Sequence, residues 1–285
     1  MSQKMKIILL SLTIVAAVLG IVCICIKPNQ NNSNKPASET SPAEQTPSPS
    51  EDVPDNTAAV PTTAPKDDTK PLSGLTICID PGHQIEQMKD TEDLAPWDKT
   101  KKQKVSSGTC GTFSNVNEYV VNLDISLKIR DTLTSLGANV VMVRETNDVK
   151  LSNQDRAKIG NDCNADVVLR IHCNGSDNHK VNGIELWVRG DGDGTDENKN
   201  KSKYDFDLAS ELLNYLVNET GASKRNVNKS NNYTGLNWST VPSIIIECGF
   251  MSNETEDLNL VTDAYQQKFA DGIAKWLTSS EVLKR

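Results

Sequence analysis

Histidine is scarce, with three in 285 residues. No two cysteines have the Cys-x-x-Cys spacing, so a zinc site built from cysteine is excluded. Five cysteines lie beyond the N-terminal apolar run: Cys78, Cys110, Cys163, Cys173 and Cys248. Most sit within apolar runs and serve as small core residues, although the sequence leaves a disulfide open. Net positive charge is also missing. The formal charge of −8 argues against nucleic acid as a partner. No internal repeat is found. Residues 28–70 hold no aromatic residue at all and eight of the twelve prolines. Such a stretch cannot bury enough apolar surface to offset chain entropy, and the expectation is a disordered tether.

One long hydrophobic run is present. Residues 7–26 (IILLSLTIVAAVLGIVCICI) are apolar without interruption and long enough to cross a bilayer as a helix. Lys4 and Lys6 precede the run and favour a cytoplasmic N-terminus, which puts the rest of the chain outside. A cleaved signal has the same plan and would give a secreted protein. However, this run is longer than the usual signal and no small-x-small pair follows it. Gly20-Ile21-Val22 before Cys23 also lacks the small residue that a lipoprotein site needs immediately before its cysteine. The expected organisation is a single-pass anchor over 1–27, the tether over 28–70 and one globular domain over 71–285, a size that buries a proper core.

Within that domain, strand signals fall at Leu75–Asp80, Asn139–Arg144, Asp166–Ile171, Gly183–Val188 and Ser243–Glu247. Helix signals fall at Glu118–Leu136, Asn153–Asn161, Phe206–Glu219 and Ala264–Leu277. This alternation predicts a single α/β domain with a mostly parallel sheet flanked by helices. Residues 84–117 form a long interrupting loop, and 190–203 a solvated one. Asp191 and Asp193 do not make a calcium loop, because the glycine and the terminal glutamate are misplaced.

Two of the three histidines follow strand signals: His83 closes Ile79-Asp80-Pro81-Gly82-His83, and His172 closes Val167-Val168-Leu169-Arg170-Ile171-His172. Glu247 follows Ile244-Ile245-Ile246, where a buried carboxylate needs a partner, a metal or a proton. All three lie at or just past strand ends, the rim where open parallel sheets bind ligands. Glu118 reaches the same rim from a helix. The inward stripe Asn122, Ile125, Ile129, Leu133, Leu136 continues back four residues onto Glu118. Each has an ordinary reading: a hydrogen-bonded loop residue for either histidine, a capping box for Glu118. Together on one rim they suit a catalytic zinc centre with three protein ligands and an open water position. His179, among polar neighbours, is read as solvated.

These runs resemble the zinc-dependent N-acetylmuramoyl-L-alanine amidases of the family often called amidase 3. The resemblance rests on Asp80-Pro81-Gly82-His83, Asn117-Glu118-Tyr119 with Asn122-Leu123, Arg144, Arg156-Ala157-Lys158-Ile159, Arg170-Ile171-His172-Cys173-Asn174, and the segment from Val241 to Asn253. It covers about residues 73–280. It implies one Zn²⁺ held by His83, Glu118 and His172, with Glu247 as the catalytic carboxylate. The implied reaction is hydrolysis of the amide between N-acetylmuramic acid and L-alanine of the peptidoglycan stem, in wall turnover, separation or sporulation. Trp97, Asn174, Asn237 and Trp238 are candidate sugar or peptide contacts. Many members carry a second glycine after the histidine; here Gln84 stands instead, and the stretch from His83 to Glu118 is longer. No separate wall-binding repeat and no signature of a protein activator is seen. Two rivals remain: a zinc peptidase acting within the stem peptide, and a non-catalytic wall-binding module. A metal-free muramidase would leave both histidines unexplained.

Overall fold

The computed structural model describes residues 69–280. The apolar run at 7–26 and the tether up to residue 68 lie outside the described residues. Among the described residues, no helix is long and apolar enough to cross a membrane.

A six-stranded sheet organises the domain, in the order β4-β1-β5-β8-β6-β7. Its strands are β1 (Thr76–Pro81), β4 (Asn139–Met142), β5 (Val167–Asn174), β6 (Ile184–Arg189), β7 (Lys224–Ser230) and β8 (Ser243–Phe250). β4, β1, β5 and β8 pair in parallel. β6 runs antiparallel to β8, and β7 parallel to β6. The mostly parallel sheet and all five expected strands are therefore present, as are the four expected helices: α1 (Glu118–Ser135), α2 (Asn153–Asp162), α3 (Asp196–Thr220) and α6 (Asp263–Ser279). Two short helices, α4 (Thr234–Asn237) and α5 (Glu254–Leu260), complete the set.

The pleat sorts β5 between two cores. Val167, Leu169, Ile171 and Cys173 join the larger one, with Ile125, Ile129 and Leu133 of α1, Leu212 and Leu216 of α3, and Phe269 and Trp276 of α6. Val168 faces the other side, with Cys78, Val143 and Ala165. Each fully buried aliphatic side chain contributes about 1.5–3 kcal/mol. On that second face the buried residues turn polar toward the strand ends, where the site lies.

Three stretches depart from expectation. The segment 84–117 is not a bare loop; it contains an antiparallel hairpin, β2 (Met88–Asp93) and β3 (Lys101–Val105). Its strands carry no apolar alternation because polar bonds hold them. Glu92 accepts the amides of Asn153 and Gln154 at the start of α2, at 3.2 Å each. Residues 190–203 are not all solvated loop, since α3 begins at Asp196 behind a Thr195 N-cap with two acids in its first turn. Propensity and capping start this helix before its apolar stripe begins. β7 went unread because it is a polar, lysine-bearing edge strand. Cys78, Cys163, Cys173 and Cys248 are free thiols.

Behind the rim, Asp80 is buried between two guanidinium groups: Arg156 Nη1 donates at 2.6 Å to Oδ1, and Arg170 Nη1 donates to Oδ2. Burial would raise this carboxyl's pKa, but Arg156 and Arg170 outweigh it and hold Asp80 below its ordinary value. A lowered folded-state value contributes stability above the unfolded pKa, near 3.8, that is lost as pH falls through the folded value. Asp80→Asn should cost about 3–5 kcal/mol at pH 7, because two buried cations lose their counter-charge. Urea unfolding of both proteins checks this, and their difference should shrink as acid protonates native Asp80.

Candidate metal centre

Two arginines fix the turn that carries His83 through four bonds to three backbone carbonyls. Arg144 donates to the carbonyls of Pro81 and Gly82 at 2.8 and 2.9 Å. Arg156 donates to the carbonyls of Pro81 and His83 at 2.9 and 3.0 Å. His83 itself has φ +60°, a left-handed conformation that a non-glycine residue holds only when its surroundings impose it. Gln84 is fully buried and accepts from Arg156 Nη2 at 2.8 Å, which adds a further clamp on the turn.

The His83 ring donates from Nδ1 to the Ser106 carbonyl at 2.9 Å, which leaves Nε2 3.3 Å from Glu118 Oε1. His172 Nδ1 lies 3.2 Å from the same oxygen. The two imidazoles stand nearly perpendicular, centroids 4.9 Å apart. One ligand atom from each of His83, Glu118 and His172 falls within 4.8 Å of the others, the one such set among the described residues. Glu118 is 3 % exposed. Asn117 is the N-cap and makes no side-chain cap, so the glutamate is not half of a capping box. Its carboxylate instead accepts the amides of Thr109 at 2.8 Å and Cys173 at 3.1 Å, and Asn122 Nδ2 at 3.1 Å. Outer partners of this kind orient ligands and raise their basicity.

Burial works against charge on Glu118, but His83, His172 and their hydrogen bonds prevail and hold its carboxyl well below the ordinary range. His83 is raised: burial would lower it, and Glu118 overcomes that. His172 is lowered by burial, with His83 adding to the effect. Glu247 behaves in the opposite way to Glu118. Burial first, then Glu118 and Glu185, push it well above the ordinary range. It pairs in register with His172 on β5 and with Glu185 on β6. Its Oε2 is buried and has no hydrogen-bond partner among the described residues.

Backbone proximity matters at two glycines. A Cβ on Gly82 would lie 2.3–2.6 Å from three atoms of the His172 ring. A Cβ on Gly108 (φ +76°) would meet Glu118 Oε2 at 2.6 Å and the His83 ring at 2.9 Å. Gly82→Ala should therefore displace the His172 ring and weaken zinc binding roughly 10–100-fold, the range seen when ligand orientation is lost. Calorimetric zinc titration beside a thermal melt checks this, and a variant with unchanged zinc affinity would contradict it.

Of the other expected contacts, Asn174 stays at the rim, donating to Glu185 Oε1 at 3.0 Å. Trp97, Asn237 and Trp238 do not join the set. They line a separate cavity with Arg189, at the opposite end of β6 from Glu185. Asn237 Nδ2 is spent on the carbonyls of Leu94 and Asn231, and Trp238 Nε1 on that of Asp93. Asn237 and Trp238 thereby fasten the hairpin, and Trp97 lies in the connection between its two strands. His179 is exposed as expected, its ring edge-on to Phe113. Sequence reasoning missed Glu185, Trp187, Arg225 and Tyr233 beside Glu247. The one available signal was parity: in Ile184-Glu185-Leu186-Trp187, the carboxylate and the indole share the face away from the apolar core.

The family model described as N-acetylmuramoyl-L-alanine amidase matches residues 77–279. The chain is 29 % identical over 218 residues to the N-acetylmuramoyl-L-alanine amidase LytC of Bacillus subtilis, covering 76 % of this chain but 38 % of LytC. It is 30 % identical over 210 residues to the uncharacterized protein YqiI of the same organism, covering 74 % of this chain and 86 % of YqiI. Its fold is similar to the crystal structure of N-acetylmuramoyl-L-alanine amidase from Clostridium difficile 630. That likeness has a TM-score of 0.58 at 28 % identity, over 72 % of this chain and 95 % of the other. All of the candidate ligands and Glu247 lie within the matched span.

Proposed function

The chain belongs to the N-acetylmuramoyl-L-alanine amidase family, and we propose that it is a zinc-dependent peptidoglycan hydrolase, cleaving the amide between the lactyl group of N-acetylmuramic acid and L-alanine. The observation that carries this reading is the convergence of His83, Glu118 and His172, with an unpartnered carboxylate oxygen on the next strand. Two imidazoles and one carboxylate, without thiolate, are the donor set of a catalytic zinc with an open position. The residues present fit that metal.

Zinc bound there would act as a Lewis acid on the scissile carbonyl and lower the pKa of water toward neutrality. The protein supplies the remainder. Ser106, Thr109, Asn122 and the Cys173 amide hold the ligands in place, so little reorganisation is required. Glu247 Oε2 takes the proton from the attacking water. The same carboxyl then delivers that proton to the leaving nitrogen of alanine. An amide nitrogen leaves poorly without protonation, so one carboxylate serves both steps.

The full chain should bind about one zinc, lose peptidoglycan hydrolysis on chelation and regain it with Zn²⁺. Full activity in metal-free protein would overturn the proposal.

The apolar run at 7–26 supports tethering at the membrane with the domain outside, facing the wall. Protease added to intact protoplasts should remove the domain and leave a membrane-bound N-terminal stub. A soluble extracellular form beginning near residue 28 would show cleavage instead.

A further inference from the structure

Beyond Glu247 the rim continues onto strands that the metal centre does not use. Glu185, the register partner of Glu247, opens β6, and Arg225 opens the neighbouring β7. From β5 outward the rim therefore carries His172, Glu247, Glu185 and Arg225, one strand after another. Glu185 is itself fully engaged. Its Oε1 accepts from Asn174 at 3.0 Å and from the Trp187 indole at 3.3 Å, and its Oε2 accepts from Arg225 Nε at 2.8 Å.

Arg225 is not fully engaged. Its guanidinium lies 5.0 Å from the centroid of the Phe250 ring, and Nη1 reaches the Asn182 carbonyl at 3.3 Å. Among the described residues, Nη2 has no acceptor. The side chain is 36 % exposed, in contrast to the 11 % of Glu185. A guanidinium steadied by an aromatic face and a carboxylate, with one donor edge to spare, is suited to bind a further carboxylate.

The substrate implied by the amidase reading, on which this inference rests, carries such a group on one arm only. The muramic acid sugar beyond its lactyl amide is neutral. The stem peptide continues from L-alanine to a D-glutamate joined through its γ-carboxyl, which leaves that residue's α-carboxyl free or amidated. From the scissile nitrogen to that α-carboxyl is about 6 Å of extended chain. Two strand spacings, about 10 Å, separate the strand of Glu247 from that of Arg225, and an arginine side chain spans the remainder. Between them Glu185 presents only acceptor oxygens, already taken by Asn174, Trp187 and Arg225, so the donor beyond it is Arg225. We propose that Arg225 binds the free α-carboxylate of the second stem residue and makes the enzyme selective for D-isoglutamate over D-isoglutamine stems.

The test compares N-acetylmuramoyl-L-alanyl-D-isoglutamyl-L-lysinamide, extended through the γ-carboxyl, with its α-amidated D-isoglutaminyl counterpart as substrates of the zinc-loaded full chain, its Arg225→Gln variant and its Arg225→Lys variant. Wild type should favour the acid on the order of 10-fold in kcat/KM, mostly through KM, because the contact is remote from the reacting bond. Arg225→Gln should bring the ratio near one, and Arg225→Lys should restore part of it. A purely structural role, such as neutralising Glu185, would depress both substrates alike and leave the ratio unchanged; that result, or equal rates in wild type, overturns the proposal. Cleavage of neither substrate would instead count against the amidase reading. In that case calorimetric binding of L-alanyl-D-isoglutamyl-L-lysinamide and its α-amide to the same protein decides the matter, and equal affinities overturn the role of Arg225.

Discussion

Replacing Glu247 with glutamine should leave zinc in place and reduce turnover on the order of 10²-fold or more, the usual contribution of general acid–base catalysis. The variant keeps the size of the side chain, and its position beside His172 and Glu185 is set by strand register. It removes the group that accepts the water's proton. It also removes a carboxyl that burial, Glu118 and Glu185 push well above the ordinary range. A neutral amide suits that setting, so stability should stay level or rise. Metal content by elemental analysis, a urea melt and peptidoglycan hydrolysis together check this. A variant that retains both zinc and activity would make Glu247 structural.

Glu118→Gln should fail differently, by losing the metal. A neutral amide is a poor ligand for the cation. The loss should exceed the roughly 10–100-fold that disturbing a ligand's outer partners costs. A structural penalty should accompany it. Glu118 accepts from Thr109 N, Cys173 N and Asn122 Nδ2, all donors. An amide at this position turns one of its two ends into a donor facing another donor, and an unsatisfied buried group costs about 1–3 kcal/mol. Zinc affinity and urea stability should therefore fall together in Glu118→Gln, whereas neither falls in Glu247→Gln. The reverse pattern would exchange the roles of the two glutamates.

The convergence of His83, Glu118 and His172 was legible because each leaves a periodic trace. His83 and His172 end apolar β-branched runs, and Glu118 extends an inward helical stripe whose Asn122, Ile125, Ile129 and Leu133 are buried. The rule that parallel sheets bind ligands past their carboxyl ends then placed them on one rim. That rule also explains what was missed. β6 runs antiparallel to its neighbour, so its first residues, not its last, reach the rim; the parity of Glu185 marks its face of the sheet but not its place at the rim. Arg225 sits on a polar edge strand with no hydrophobic alternation to announce it. The hairpin Met88–Val105 is held by Glu92, Asn237 and Trp238 through bonds to partners more than 60 residues away in the chain. Tertiary bonds of that reach leave no local pattern. Asn237 and Trp238, read from the sequence with Trp97 as candidate substrate contacts, show no local sign of these bonds either.

The most direct measurement of the central claim is the mass of the products. Purified peptidoglycan digested with the zinc-loaded full chain should release stem peptides with a free L-alanine amino terminus, leaving glycan chains with intact lactyl carboxylates. A chelated sample should release none. Fragments cut inside the stem peptide, or sugar chains cut between saccharides, would contradict the account.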